Sequence, residues 1–157
     1  MPPTLLLRRT LDTPAPPDRA WAHLARVEAW PSWARHLRSA RLDPPGALGP
    51  RSRGVFVLGP GVPTGFAMTD WDPPRRWKWS GRVLWLRVGY DHRFEPLSGG
   101  GTRIVLEVEA SGVAVGTLGR LFALVYARNL DRALPLLARE LEAPPGGPEG
   151  DAGRPVP

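Results

Sequence analysis

The chain has no cysteine, a single lysine, only 3 histidines, and no apolar run near the roughly 20 residues that a membrane-crossing helix needs. Without cysteine there are no disulfides, thiolate nucleophiles, zinc ribbons or cysteine-ligated clusters. The histidines, His23, His36 and His92, lack metal-ligand spacing, and no His-Glu-x-x-His occurs, so no metal site is expected. A Gly-x-Ser-x-Gly elbow is also missing. Gly59, Gly61 and Gly65 are interrupted by prolines and fall between strands, so they do not set a helix N-terminus against a phosphate. No cofactor is expected on these grounds. The opening residues hold one short leucine run where a secretory leader needs about 7–15 apolar residues, which makes the cytoplasm the expected compartment.

What the chain does contain is a globular composition: 157 residues, 42% hydrophobic and 23% charged, enough for one domain. The net charge of +6 comes from 21 basic residues, all arginine except Lys78. With 20 prolines and 18 glycines, this reads as the coding bias of a GC-rich bacterial genome. The arginines are dispersed, with short pairs only at Arg8-Arg9 and Arg75-Arg76, which argues against a nucleic-acid surface. Residues 144–157 are Pro/Gly-rich and poor in apolar side chains, and are expected to form a disordered tail after a folded body of residues 1–143. Monomer and homodimer are both compatible with this.

Residues 4–12 read as a strand. A helix is expected from Pro17 to Val27, with Pro17 and Asp18 in its first turn and Trp21, Leu24 and Ala25 as its buried stripe. A second short helix is expected from Trp30 to His36. The apolar period then falls to two, predicting strands at 37–43, 52–59, 64–72, 75–82, 85–96 and 101–111. Short Pro/Gly breaks between them favour antiparallel hairpins, because parallel crossovers need a dozen or more residues. Last comes the longest element, a helix over about 117–142, with Leu118, Phe122, Tyr126, Leu130, Leu134, Leu137 and Leu141 on one face. Pro135 predicts a kink or break near residues 131–135.

In this order the chain resembles the START-like SRPBCC superfamily, in particular its polyketide cyclase/dehydrase and lipid-transport branch. The matching segments are Pro17 to Trp33, with its Trp-Pro-x-Trp ending, Asp72-Pro-Pro-Arg-Arg-Trp77, and the Gly-Gly-Thr hairpin within Phe94 to Arg103. The resemblance implies an α+β helix-grip fold: about seven antiparallel strands curled around a long C-terminal helix, two short helices after the first strand, and an internal apolar cavity. It further implies binding of a lipid, polyketide or other hydrophobic molecule, with cyclisation or dehydration in some members.

If the apolar strand faces look inward, Phe66, Met68, Trp77, Trp79, Phe94 and Leu106 line that cavity, with Phe122 and Tyr126 of the long helix opposite. Asp70, Tyr90 and His92 would then be polar groups in an apolar space, able to orient a ligand oxygen or move a proton. They are the catalytic candidates, although Asp70 could equally cap the turn that follows it, and His92 could be a satisfied core residue. Arg75-Arg76-Trp77-Lys78-Trp79 superficially fits a nucleic-acid stacking platform, but alternation sends its aromatics and its charges to opposite faces. Trp30 and Trp33 read as core or cavity-mouth residues. Val83-Leu84-Trp85-Leu86, near a hairpin tip and flanked by Arg82 and Arg87, reads either as a cover over the cavity or as a portal touching a membrane.

Three functions are thus expected in order: binding or transport of a hydrophobic small molecule; a cyclase or dehydratase without metal, in which His92 or Asp70 moves a proton and Tyr90 holds an oxyanion; and a basic module binding RNA or a protein.

Overall fold

The computed structural model describes residues 2–144, so the expected tail lies outside the described residues apart from Pro144. The strands are β1 (Thr4–Thr13), β2 (Leu37–Leu42), β3 (Arg53–Leu58), β4 (Pro63–Asp72), β5 (Arg76–Val83), β6 (Leu86–Pro96) and β7 (Thr102–Ser111). They form one antiparallel sheet in the order β1-β7-β6-β5-β4-β3-β2. All neighbours from β2 to β7 are consecutive, as the short breaks require. Only β1 is displaced, to the far edge beside β7, so the chain between β1 and β2 must cross one end of the sheet.

That crossing is made by helix α1 (Pro17–Ala25) and a 3-10 segment, Val27–Ser32. The two expected short helices are both present with shifted bounds: the first ends at Ala25 rather than Val27, and the second spans Val27–Ser32 rather than Trp30 to His36. Arg26 leaves the helical region at φ −80°, ψ 71°, and Pro31 falls inside the tighter turn. The indole N–H of Trp30 donates to the Leu24 carbonyl at 2.8 Å, so one carbonyl left open by the end of α1 is satisfied and the ring is held in the core.

Three bulges bend the sheet, between Leu5 and Leu7, Leu37 and Ser39, and Met68 and Asp70. The third has a direct consequence for the site. Met68 pairs with Trp79, Asp70 with Lys78 and Trp71 with Trp77, so Thr69 is the extra residue. Its hydroxyl donates to the Lys78 carbonyl at 3.1 Å. Alternation is reset, and Asp70 turns outward while Trp71 turns in.

The closing helix α2 (Arg120–Glu142) follows a π-helical turn, Val115–Gly119. It runs through Pro135 without the expected break. Pro135 lies on the exposed side, where the carbonyl that loses its partner meets water. Leu130, Leu134, Leu137 and Leu141 are buried, whereas Leu118, Phe122 and Tyr126 are half-buried. No helix among the described residues is long and apolar enough to cross a membrane.

The sheet's outer face carries the charges expected there, largely neutralised. Arg76 grips Asp91 through two bonds of 2.9 Å and reaches Asp70 at 3.4 Å. Arg93 and Arg8 share Glu107, Lys78 meets Glu109, and Arg103 pairs with Asp12. Among the described residues, this face of β5 to β7 therefore leaves basic groups unpaired only at its hairpin end, where Arg82 and Arg87 stand opposite each other.

Candidate functional site

Between the inner face of β3 to β7 and the first half of α2 lies a cavity of about 250 Å³. Its wall is aromatic because of how the strands pair. Phe66 stands between Gly54 on β3 and Gly81 on β5. A Cβ on Gly54 would sit 2.5 Å from the Phe66 ring, so the missing side chain gives that ring its room. Phe66 then stacks on Phe56 with centroids 4.6 Å apart and packs on Trp79 at 4.7 Å. Trp30 covers Phe56 at 5.6 Å and leans on Trp33 at 5.1 Å. Towards the opening, Tyr126 of α2 meets Tyr90 and Phe122, each at 5.6 Å, and His36 at 6.1 Å.

The polar groups inside are few and uncharged. His92 is buried among Trp79 at 4.7 Å, Trp77 at 5.1 Å and Trp30 at 5.7 Å. Loss of solvent pushes its imidazolium down to about 4, so the ring is neutral at physiological pH. Its Nδ1, and the indole Nε1 of the adjacent Trp77, are buried without a hydrogen-bond partner. Burial raises the Tyr90 and Tyr126 phenols well above their usual range, leaving both as hydroxyls, and lowers His36. Asp91 and Glu107 border the cavity, but their carboxylates are held by Arg76 and Arg93 on the opposite face. The site therefore offers stacking surfaces and a few neutral hydrogen-bonding groups, with no fixed charge.

Of the residues expected to line the cavity, Phe66, Trp79, Tyr90, His92, Leu106, Phe122 and Tyr126 border it. Trp77 and Phe94 do not. Both face inward, as alternation requires, but at the end covered by α1, where Trp21 packs edge-on against Trp77 at 4.7 Å and Phe94 at 5.3 Å. The inner face is longer than the cavity, and α1 fills the remainder. Met68 is inward but packs against the core rather than bordering the space. Asp70 is excluded by the β4 bulge: it is exposed on the outer face beside Arg76, on the other side of the sheet from His92. A proton relay between Asp70 and His92 is geometrically impossible.

Phe56 and Asn129 border the cavity without having been singled out by the sequence. Val55-Phe56-Val57 is apolar on both faces, so alternation assigned Phe56 to neither, and Asn129 follows Tyr126 by one helical turn on a face read as purely apolar. Among the described residues no three His, Asp or Glu side chains converge as a metal site would need.

A family model described as "Polyketide cyclase / dehydrase and lipid transport" matches residues 5–142. No curated protein matches the sequence. Among solved structures, the Zhui aromatase/cyclase from a Streptomyces species superposes with a TM-score of 0.66 at 18% identity, covering 87% of this chain and 92% of that one. A START superfamily protein from Mycobacterium smegmatis gives 0.64 at 12% identity over 88% and 99% of the two chains. A hypothetical protein from Helicobacter pylori gives 0.71 at 15% identity, covering 85% of each chain. At these identities the likeness is one of fold, the helix-grip arrangement of a curled sheet around a C-terminal helix.

Proposed function

The chain belongs to the polyketide cyclase/dehydrase and lipid-transport family, and from that premise we propose that its cavity binds and carries one hydrophobic small molecule, lipid-like or polyketide-like. The observation that carries this reading is the lining: aromatic rings and aliphatic side chains with a few neutral polar groups among them, including His92, Tyr90, Tyr126 and Asn129, while the bordering carboxylates of Asp91 and Glu107 are held on the opposite face. Rings such as Trp30, Phe56, Phe66 and Trp79 favour a planar apolar body, and the neutral polar groups suit one or two oxygens on it. A charged group inside would forfeit its hydration with no counter-charge to replace it.

The test is native mass spectrometry of the protein purified from its own host, followed by thermal shifts across fatty acids, sterols and aromatic polyketides. A bound lipophilic mass and a shift with at least one class are expected. Leu58→Trp, placed where a half-buried residue borders the cavity, is expected to abolish both. No bound mass and no shift across the panel would overturn the proposal.

A second reading, a cyclase or dehydratase on the same scaffold, draws on His92, a neutral imidazole bordering the cavity. His92 would take a proton from carbon beside a ligand ketone, and the Tyr90 hydroxyl, two residues along the same strand face, would hydrogen-bond the enolate oxygen. On this reading His92→Gln and Tyr90→Phe lower turnover of a poly-ketone substrate by at least a hundredfold, whereas Asp70→Asn leaves it unchanged.

A further inference from the structure

The opening of the cavity is flanked by apolar side chains that the fold leaves in water. At the tip of the β5–β6 hairpin, Leu84 is 75% exposed and Trp85 57%, and Val113 in the loop after β7 is 81% exposed. The two loops are joined: the Trp85 indole N–H donates to the Val113 carbonyl at 3.1 Å, and Gly112, at φ 135°, lets the backbone pass where a Cβ would sit 3.3 Å from the Trp85 carbonyl. On α2, Leu121, Leu124 and Val125 form an exposed stripe at i, i+3, i+4. Val125 and Val83 both border the cavity, so hairpin and helix stripe stand at one mouth.

Backbone and charge single out the same place. Leu84 at φ 56° and Ala114 at φ 60° are the left-handed non-glycine residues among those described, and both lie here. The first position of a tight hairpin with positive φ suits glycine or asparagine, so folding alone does not account for leucine there. Arg82 and Arg87 are directly opposed across β5 and β6, a like-charge pair that weakens a sheet. Arg120 occupies the first turn of α2, where no acid is present, and Arg128 follows the apolar stripe. Segments 82–87 and 111–128 contain these 4 arginines and no carboxylate. None of the four makes an ion pair among the described residues, in contrast to Arg76, Lys78 and Arg93 further along the outer face.

We propose that the cavity mouth docks on an anionic lipid bilayer, with Leu84, Trp85 and Val113 entering the interface and Arg82, Arg87, Arg120 and Arg128 meeting the headgroups. An indole on an apolar tip beside unpaired cations matches the bilayer boundary, where tryptophan is favoured and each basic residue gains from the surface potential. A second copy of the chain fits worse, because a two-fold interface would bring the same unpaired arginines together. A nucleic acid would leave the apolar tip without a partner. Docking stands on the patch alone; its use, loading or unloading the cavity from the membrane, rests on the binding function proposed above.

The test is co-flotation of the full chain with vesicles of phosphatidylcholine alone and of phosphatidylcholine and phosphatidylglycerol in equal parts. Binding to the mixed vesicles, weakened by salt, is expected, with little binding to the neutral ones. Arg82→Gln with Arg87→Gln, and separately Trp85→Ser, should each lower partitioning by roughly tenfold or more with circular dichroism unchanged. Leu58→Trp should keep vesicle binding while losing cavity ligands, which separates failure of docking from failure of the cavity reading. Equal binding to both vesicle types, or no binding together with a dimer that Trp85→Ser dissociates, would overturn the proposal.

Discussion

The two halves of α2 carry the same apolar spacing and meet different surroundings. From Leu130 onward every core-facing leucine is buried against the sheet. Before it, Phe122 and Tyr126 continue the series but are only half-buried, because they border the cavity. The sheet shows the same division, with Trp77 and Phe94 sealed beneath Trp21 at one end and Tyr90 and Trp79 facing the cavity at the other. One end of the inner face holds the fold together, and the other holds space.

The largest effect that can break this comparison is a pair of truncations. Leu137→Ala should cost about 2–5 kcal/mol in urea unfolding, since it leaves a hole in a filled region. Phe122→Ala should cost about 1 kcal/mol, since it only enlarges a space already present, and should weaken ligand uptake instead. Equal losses would erase the distinction between the halves.

A pH titration sharpens it next. His92 is held neutral at the boundary between the two regions, with its imidazolium pushed from 6.5 to about 4. The unfolded chain binds the extra proton first as pH falls, so stability is full above pH 6.5 and declines towards pH 4, by on the order of 3 kcal/mol. His36, lowered by burial, adds in the same direction. Replacing His92 with Phe should flatten most of this dependence in denaturant melts at stepped pH; an unchanged slope would mean that His92 is not sealed from water.

The smallest effect runs the other way. Leu84→Gly should raise stability by about 1 kcal/mol, read as a higher midpoint of thermal unfolding, because it releases a left-handed leucine and removes exposed apolar surface. A loss of stability would show that Leu84 serves packing at the mouth.

Much of this was legible in the sequence. The break residues between strands predicted consecutive antiparallel pairing, and strand ends fell within a residue or so of expectation, because Pro and Gly act locally. The long helix was legible from Leu118 to Leu141, but not which half of it would be packed: periodicity reports which way a residue faces and not what it meets. Trp77 and Phe94 were assigned to the cavity for this reason. The bounds of the two short helices after β1 were less legible, since the Trp30 indole bonding the Leu24 carbonyl is a tertiary event that spacing does not report. The arginines mapped correctly to the outside, but their pairing on the sheet's back and lack of pairing at the mouth depend on neighbours across strands.

The extra residue in β4 also bears on how relatives are compared with this chain. Before Thr69 the even-numbered Phe66 and Met68 face the interior; after it, the odd-numbered Trp71 does. An ungapped alignment to a relative with a regular strand would match Asp70 to an inward position and credit this protein with an internal carboxylate. In space that place belongs to Trp71. Transfer of site residues across this strand must count Thr69 as an insertion, or half of β4 will be read inside out.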